Sequence, residues 1–376
     1  MVKANERSHA LIYVGIDYHK RYSVVSAVDQ NGQRCAEARI DGNSAAGFAQ
    51  FFRSLNEPCQ AVMEACWNWG YLYDLLDGMD GVAQLGLAHP YKTRVIAEAQ
   101  IKTDKLDARA LAKLLRADLI APAYVPTPAT RRRKQLLRQR LFWVRVRTMV
   151  RNRVHALVDR QPHLPRPQLT DLFGRRGMAF LASVRLPEPD ATLLRQDLEV
   201  LAVFDHHVHE LEQVVAAETA GDRRVELLRT LPGVGALFST VLASEIDEVR
   251  RFRHPAKLCA YAGLVPTTHA SGAKVSHGPL LPRCNQWLRW ALVEASWVAI
   301  QCSGYFGELY RRQRLRGKNA NHAITVVARH LCQIVWHLLS EQRAYQERPA
   351  DGAVKTFPGR SASGVMEPAV TAAARI

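Results

Sequence analysis

The sequence lacks paired cysteines, long apolar runs and a leader-like N-terminus, and each absence narrows the class of protein. Its seven cysteines are scattered without a CxxC pair, which argues against a zinc module or a disulfide scaffold and favours a reducing compartment. The sequence contains no run of about 18 apolar residues, so it does not predict a membrane span. The first apolar run is short and ends at Asp17, without a signal-peptide layout. We therefore expect a cytoplasmic protein with no membrane partner.

Acidic residues are also few relative to basic ones. The 376 residues include 35 Asp and Glu against 51 Lys and Arg, which gives a net charge of +16. With a pI near 9.8, a polyanionic partner is expected, and nucleic acid is the first candidate. Hydrophobic residues make up 48% of the chain, so most of it should fold, into two or three domains.

Changes in pattern along the chain predict its organisation. Strands alternating with helices indicate an α/β domain over residues 1–125. A basic helical segment (131–160) and an acidic one (188–226) then predict a helical coiled-coil arm over 126–226. Either the charges of these two segments, here named the basic leg and the acidic leg, neutralise each other, or the basic leg lies along a phosphate backbone. A mainly α-helical domain (227–345) follows, and the small-residue tail (346–376) is expected to be disordered.

Four carboxylates are the first candidates for chemistry. Asp17 and Glu64 end predicted strands, whereas Asp104 and Asp107 share one face of a predicted helix. Such groups can converge at the edge of a sheet, where their mutual repulsion favours binding of cations such as Mg²⁺. The simpler alternative is structural, because Asp104 could complement the helix dipole and Asp17 could be a turn residue.

Several motifs together resemble a known family. GIDYHK, VMEA, KTDKLDARALA and RFRHPAKLCAYAGLVPTTHASG resemble the bacterial insertion-sequence DEDD transposases of the family numbered one hundred and ten, from about Val14 to Leu339. The resemblance implies a RuvC-like, RNase H-like first domain. It maps Asp17, Glu64, Asp104 and Asp107 onto the catalytic, Mg²⁺-binding tetrad, at which Mn²⁺ can substitute.

The resemblance also implies partners and an assembly. Double-stranded donor and target DNA would be the substrates, and an RNA encoded by the element would guide the protein to them by base pairing. The protein would act as a homo-oligomer, either a dimer or a tetramer built as a dimer of dimers.

A serine is the second candidate for chemistry. By composition alone Ser271 competes with Ser276, Thr267 and Thr268 in the segment PTTHASGAKVSHG, which we expect to be a loop. The family's nucleophile precedes a glycine here, and this implies Ser271, in a C-terminal transposase domain. Two nearby residues depart from the family pattern: Pro282 stands at a commonly basic position, and Cys284 replaces a usual glycine.

Other polar clusters carry weaker signals. Nine basic side chains are candidate nucleic-acid contacts, although each could be a solvated surface charge: Arg131, Arg132, Arg133, Lys134, Lys274, Arg283, Arg289, Arg311 and Arg312. The glycine spacing in LPGVG (231–235) is that of a helix-hairpin-helix turn or of a plain tight turn. Three histidines in DHHVHE (205–210) are expected to bind no metal.

The interpretation that joins these features is a transposase that recombines DNA. It would cut and rejoin strands through a phosphoserine intermediate, with a Mg²⁺-dependent DEDD site. The alternatives are a structure-specific junction endonuclease that uses the DEDD site alone, and a non-catalytic nucleic-acid-binding protein. Ser271 separates the first two hypotheses, and the intact tetrad argues against the third.

Overall fold

The computed structural model describes residues 12–66, 68–96, 103–164, 167–271 and 274–347. The chain divides into two compact units between Val125 and Pro126. The predicted disordered tail lies outside the described residues from 348 onward. The α/β character predicted for the first part of the chain is confirmed, and mainly helices follow it.

The first unit is a sheet with helices packed on it. Its described strands are β1 (Ile12–Tyr18), β2 (Tyr22–Asp29), β3 (Arg34–Asp41), β4 (Cys59–Glu64) and β5 (Val82–Ala88). Its described helices are α1 (Ala45–Ser54), α2 (Trp69–Leu76), α3 (Pro90–Ile96) and α4 (Asp104–Arg116). The strand order is β3-β2-β1-β4-β5. The first three strands pair antiparallel, and β4 and β5 run parallel to β1.

The apolar runs of β1, β2 and β4 fit central strands that are covered on both faces. Helix α1 buries Phe48, Phe51 and Phe52 in the larger core of this unit. Helix α4 buries Leu111 against Val62 in a smaller, separate cluster.

Helix α4 packs against β1 at Gly15 with almost no space between the two backbones. A Cβ atom at Gly15 would lie 2.0 Å from the carbonyl oxygen of Ala108 and 2.5 Å from the amide nitrogen of Ala112. Both alanines are fully buried. The buried stripe of α4 is thus Ala108, Leu111 and Ala112, and of the leucines expected beside Leu111 only Leu115 packs partly against the same cluster.

The second unit is helical except for one hairpin. Its described helices are α5 (Pro128–Asp159), α6 (Arg175–Ser183), α7 (Asp190–Glu218), α8 (Arg223–Arg229), α9 (Ala236–Ile246), α10 (Pro255–Tyr261), α11 (Gln286–Cys302), α12 (Gly304–Leu315) and α13 (Ala320–Glu341). Strands β6 (Pro266–Ser271) and β7 (Lys274–Leu280) pair antiparallel.

Helices α5 and α7 lie antiparallel and are joined by a ladder of ion pairs. Arginines farther along α5 pair with carboxylates nearer the start of α7: Arg132–Glu218, Arg140–Glu212, Arg147–Asp205, Arg153–Asp197 and Arg160–Asp190. Between them, α7 buries an apolar residue every seven positions, at Leu194, Leu201, Val208 and Val215, the spacing of a helix–helix seam. The basic leg is therefore extensively paired with the acidic leg.

The base of this helix pair shares a core with the helices that follow. Leu137 of α5 and Val215 of α7 belong to the same buried cluster as α8 to α13. In the turn before α9, Gly233 has φ +80°, and a Cβ atom there would lie 2.2 Å from the carbonyl oxygen of Ala295 in α11. The turn of the LPGVG motif thus packs directly against the backbone of α11.

Of the described helices, α13 is long and apolar enough to cross a membrane, judged by length and composition alone. Half of its most apolar stretch is buried inside the second unit. Val327, Leu331 and Val335 lie in the main core of this unit, which accounts for the apolar composition of the helix.

We predict that Gly15→Ala lowers the stability of the first unit by at least about 2 kcal/mol, because the new methyl group meets α4 backbone that no side-chain rotation can move. Denaturant unfolding followed by circular dichroism measures the effect. Gly86→Ala in β5 is the matched control, since its Cβ would meet nothing closer than 3.7 Å. Equal stability of the two variants would contradict the close packing.

Candidate active site

Asp17 and Glu64 occupy equivalent positions on neighbouring parallel strands. The register pairs Ile16 of β1 with Met63 of β4, so Asp17 and Glu64 are the next residues toward the carboxyl ends of the two strands. Side chains alternate along a strand, so Asp17 lies on the same face as Gly15. That is the face covered by α4.

The N-terminus of α4 brings two more carboxylates to the same edge. Thr103 caps the helix, and its hydroxyl accepts a hydrogen bond from the amide of Leu106. Asp104 and Asp107 therefore lie in the first turn, where the helix dipole favours negative charge. Asp104 is partly exposed and Asp107 is exposed, so the helix aims them at the rim of the core rather than into it.

Direct contacts bring Asp17 and Asp104 together around a histidine. The Nε2 atom of His19 lies 3.0 Å from Asp17 Oδ2 and 3.5 Å from Asp104 Oδ1. The hydroxyl of Tyr22 donates a hydrogen bond of 2.8 Å to the other oxygen of Asp104. The guanidinium of Arg39 lies 3.6 Å from the centre of the Tyr22 ring and orients it. His19, in the turn between β1 and β2, and Tyr22 of β2 thus contact the carboxylate of Asp104 at the start of α4.

The electrostatics of this edge favour a cation. Burial raises the pKa of Asp17, His19 works against this rise, and the negative charges of Asp104 and Asp107 add to it. Burial likewise raises the pKa of the Cys66 thiol, and the charges of Glu64 and Asp17 raise it further. Asp104 and Asp107 thus act on Asp17, and Glu64 and Asp17 act on Cys66. A bound cation would relieve the repulsion among the carboxylates.

The donor set fits a divalent metal. One ligand atom each from Asp17, His19 and Asp104 lies within 4.8 Å of the other two. Carboxylate oxygens suit Mg²⁺ or Mn²⁺, whereas an imidazole nitrogen is a poor ligand for Mg²⁺. In its protonated form, His19 is a cation between two carboxylates. Sequence reasoning missed His19 and Tyr22, although GIDYHK places the histidine two residues beyond Asp17.

Ser271 lies in a hairpin and not in the expected loop. It is the last residue of β6, it is exposed, and it pairs in register with Lys274 of β7. Of the competing hydroxyls, Thr267 donates a hydrogen bond of 3.1 Å to the carbonyl of Pro279 on the opposite strand. This hydrogen bond joins the two strands of the hairpin. Ser276 lies exposed on the strand opposite Ser271.

Arg289 closes the base of that hairpin. Its guanidinium donates hydrogen bonds to the carbonyls of Ala262, Gly263 and Leu281, which lie on both sides of the two strands. Gly263 has φ +67°, and a Cβ atom there would lie 2.6 Å from the Cβ of Cys284. Arg289 and Cys284, the latter at a position where the family pattern has glycine, thus together fill the space that Gly263 leaves.

Most of the other candidate nucleic-acid contacts interact with groups of the protein itself. Arg132, Arg133 and Lys134 pair with Glu218, Asp222 and Glu245. Arg311 and Arg312 share Glu308, and Arg131 and Arg283 also interact with neighbouring groups. The side chain of Lys274 lies outside the described part of the structure. Within the described residues, no metal-binding cluster forms at 205–210, where His207 stacks on Trp143.

The chain matches two models of transposase families. The DEDD transposase model of the IS110 type matches residues 14–161, which include the four carboxylates. The model of the IS116/IS110/IS902 transposase family matches residues 225–311, which include Ser271.

Several relatives are similar to this chain over most of its length. A "Probable family 20 transposase" of Pseudomonas aeruginosa is 26% identical over 89% of this chain and 98% of the relative. The transposase for insertion element IS1111A of Coxiella burnetii is 24% identical over 89% and 91%. The transposase for IS1328 of Yersinia enterocolitica is 24% identical over 89% and 98%.

We predict that Arg289→Lys destabilises the second unit by about 1–3 kcal/mol, because one ammonium cannot serve three separate carbonyls. Thermal unfolding monitors the loss. Arg311→Lys is the control with the same chemical change at an exposed arginine, whose one ion-pair partner among the described residues is Glu308 in its own helix. A similar melting temperature for both variants would show that Arg289 does not hold the hairpin.

Proposed function

We propose that this chain, a member of the IS110 family of insertion-sequence transposases, recombines DNA through a phosphoserine intermediate on Ser271. In this proposal a RuvC-like DEDD site holds a divalent metal. The observation that carries the proposal is the gathering of Asp17 and Asp104 around one point at the sheet edge. The position of Glu64 beside Asp17 on the neighbouring parallel strand supports the DEDD site. The strand order β3-β2-β1-β4-β5 supports the proposed fold of the first unit.

The carboxylates would hold the metal, with Mg²⁺ as the first choice and Mn²⁺ as a substitute. When bound, the metal supplies positive charge that stabilises the charged oxygens of a phosphodiester under attack. The protein's own residues prepare the site for it. Tyr22 donates a hydrogen bond to one oxygen of Asp104, and a ring nitrogen of His19 lies within hydrogen-bonding distance of Asp17.

Ser271 would perform the covalent step. Its hydroxyl gives up a proton, its oxygen forms a bond to phosphorus, and the bond from phosphorus to one sugar oxygen breaks. The departing sugar oxygen takes a proton. Reversal of the step by a hydroxyl of another strand releases the serine and restores a phosphodiester. Because the number of ester bonds is unchanged, strands can be rejoined without an external energy source.

The partners of the proposed reaction follow the family. Donor and target DNA duplexes are the substrates, and an RNA transcribed from the element guides the protein to them in the bacterial cytoplasm. A dimer, or a tetramer built from two dimers, would hold the duplexes. Sequencing of RNA that co-purifies with the protein tests the guide, since a discrete transcript from DNA flanking the gene is expected and a random mixture would contradict it.

We predict that Ser271→Ala abolishes covalent protein–DNA adducts and strand exchange on duplexes taken from the DNA flanking the gene. Denaturing electrophoresis detects the adducts. Ser276→Ala, at another exposed position of the same hairpin, is the control that keeps both activities. Strand exchange by the Ser271 variant would exclude the serine mechanism. Cutting without adducts by the unmodified protein would favour the junction endonuclease.

We predict that Asp104→Asn weakens divalent-metal binding at least about tenfold, because it removes one of the converging negative charges. The rise of the melting temperature with Mg²⁺ or Mn²⁺ concentration measures affinity independently of activity. Asp118→Asn is the control, since Asp118 is exposed just beyond the same helix at φ 55°, a conformation that asparagine accepts readily. Unchanged metal binding by the Asp104 variant would exclude the proposed site.

A further inference from the structure

The basic residues of the second unit differ in whether they have a carboxylate partner. Along α5, arginines from Arg132 to Arg160 pair with carboxylates of α7 and its neighbours. In the basic cluster at 311–318, Arg311 and Arg312 share Glu308. Arg314 donates to the backbone of Lys318. A side chain held in this way has less freedom to bind a phosphate.

Residues 249–257, here named the basic loop, form a connection that is anchored from the inside. The loop comprises a 3₁₀ turn, Val249–Arg251, and the start of α10. Arg251 points inward, where it donates hydrogen bonds to the carbonyls of Ile246 and Glu245 at the end of α9. The indole of Trp336 in α13 donates a 2.9 Å hydrogen bond to the carbonyl of Phe252, which is itself buried.

Three other cations of the basic loop face solvent. Arg250, Arg253 and Lys257 are exposed, and no described carboxylate forms a salt bridge with any of them. The nearest acid in sequence, Glu248, uses its carboxylate to accept a hydrogen bond from the backbone amide of Arg250. The inward contacts of the loop therefore fix the backbone from which these three charges project.

We propose that Arg250, Arg253 and Lys257 of the basic loop bind the phosphate backbone of duplex DNA. The inference rests on the proposed function, which supplies DNA as the substrate. Uncommitted cations on a fixed backbone release the counterions of DNA on binding without first breaking an ion pair of their own. The contact is independent of base sequence, in keeping with phosphate contacts that position a protein without specifying its site.

The test is the salt dependence of binding to a fluorescent duplex DNA of arbitrary sequence, with the full chain and a chelator present to prevent cleavage. Replacement of Arg250, Arg253 and Lys257 by glutamine should reduce the slope of log affinity against log salt by about 2–3, since each lost phosphate contact removes about 0.9. Thermal unfolding of the same variant should match that of the unmodified protein, because the three side chains are exposed.

The control carries the same change in net charge on paired arginines. Arg153, Arg160 and Arg195 are 62%, 61% and 62% exposed and pair with Asp197, Asp190 and Glu199. Their replacement by glutamine should leave the slope nearly unchanged. Equal loss in both triple variants, no loss in the loop variant, or loss with duplex RNA alone would overturn the proposal. Failure of the unmodified protein to bind DNA at low salt would instead refute the proposed function.

Discussion

The site in the first unit depends on the backbone contact between β1 and α4 at Gly15. Any side chain larger than hydrogen at Gly15 would overlap the carbonyl of Ala108, so glycine is what lets the helix approach. The first turn of α4 lies one turn before that contact, and Asp17 lies two residues after Gly15 on the same strand face. One close contact therefore determines the distance between the strand-borne and helix-borne carboxylates.

Several other groups compensate part of the repulsion between the carboxylates. The helix dipole favours Asp104 at the first turn, the Tyr22 hydroxyl satisfies one of its oxygens, and His19 lies between Asp104 and Asp17. The compensation is incomplete, since burial and neighbouring charge raise the pKa of Asp17. The remaining repulsion favours a cation at this edge of the sheet, and full compensation by protein groups would weaken that preference.

The sequence predicted the elements of the first unit better than the environment of its site. Apolar runs identify β1, β2 and β4 because these strands are buried on both faces, and the carboxylates follow from their positions at strand and helix ends. His19 and Tyr22 were missed because both contact Asp104 at the start of α4, more than 80 residues away in sequence, and periodicity does not describe such contacts. The hairpin that carries Ser271 escaped for another reason: its residues are polar and no apolar alternation marks it.

The two legs of opposite charge were open to two interpretations, and the contacts between α5 and α7 bear on both. Opposite charge alone does not require that two helices pair with each other. Here, however, arginines of α5 form an ordered series of ion pairs with carboxylates of α7. Paired charges largely cancel at distances beyond about 10 Å at ordinary salt. Each ion pair contributes nothing to the net charge of +16, so where this protein attracts a polyanion depends on the positions of the cations that have no internal partner.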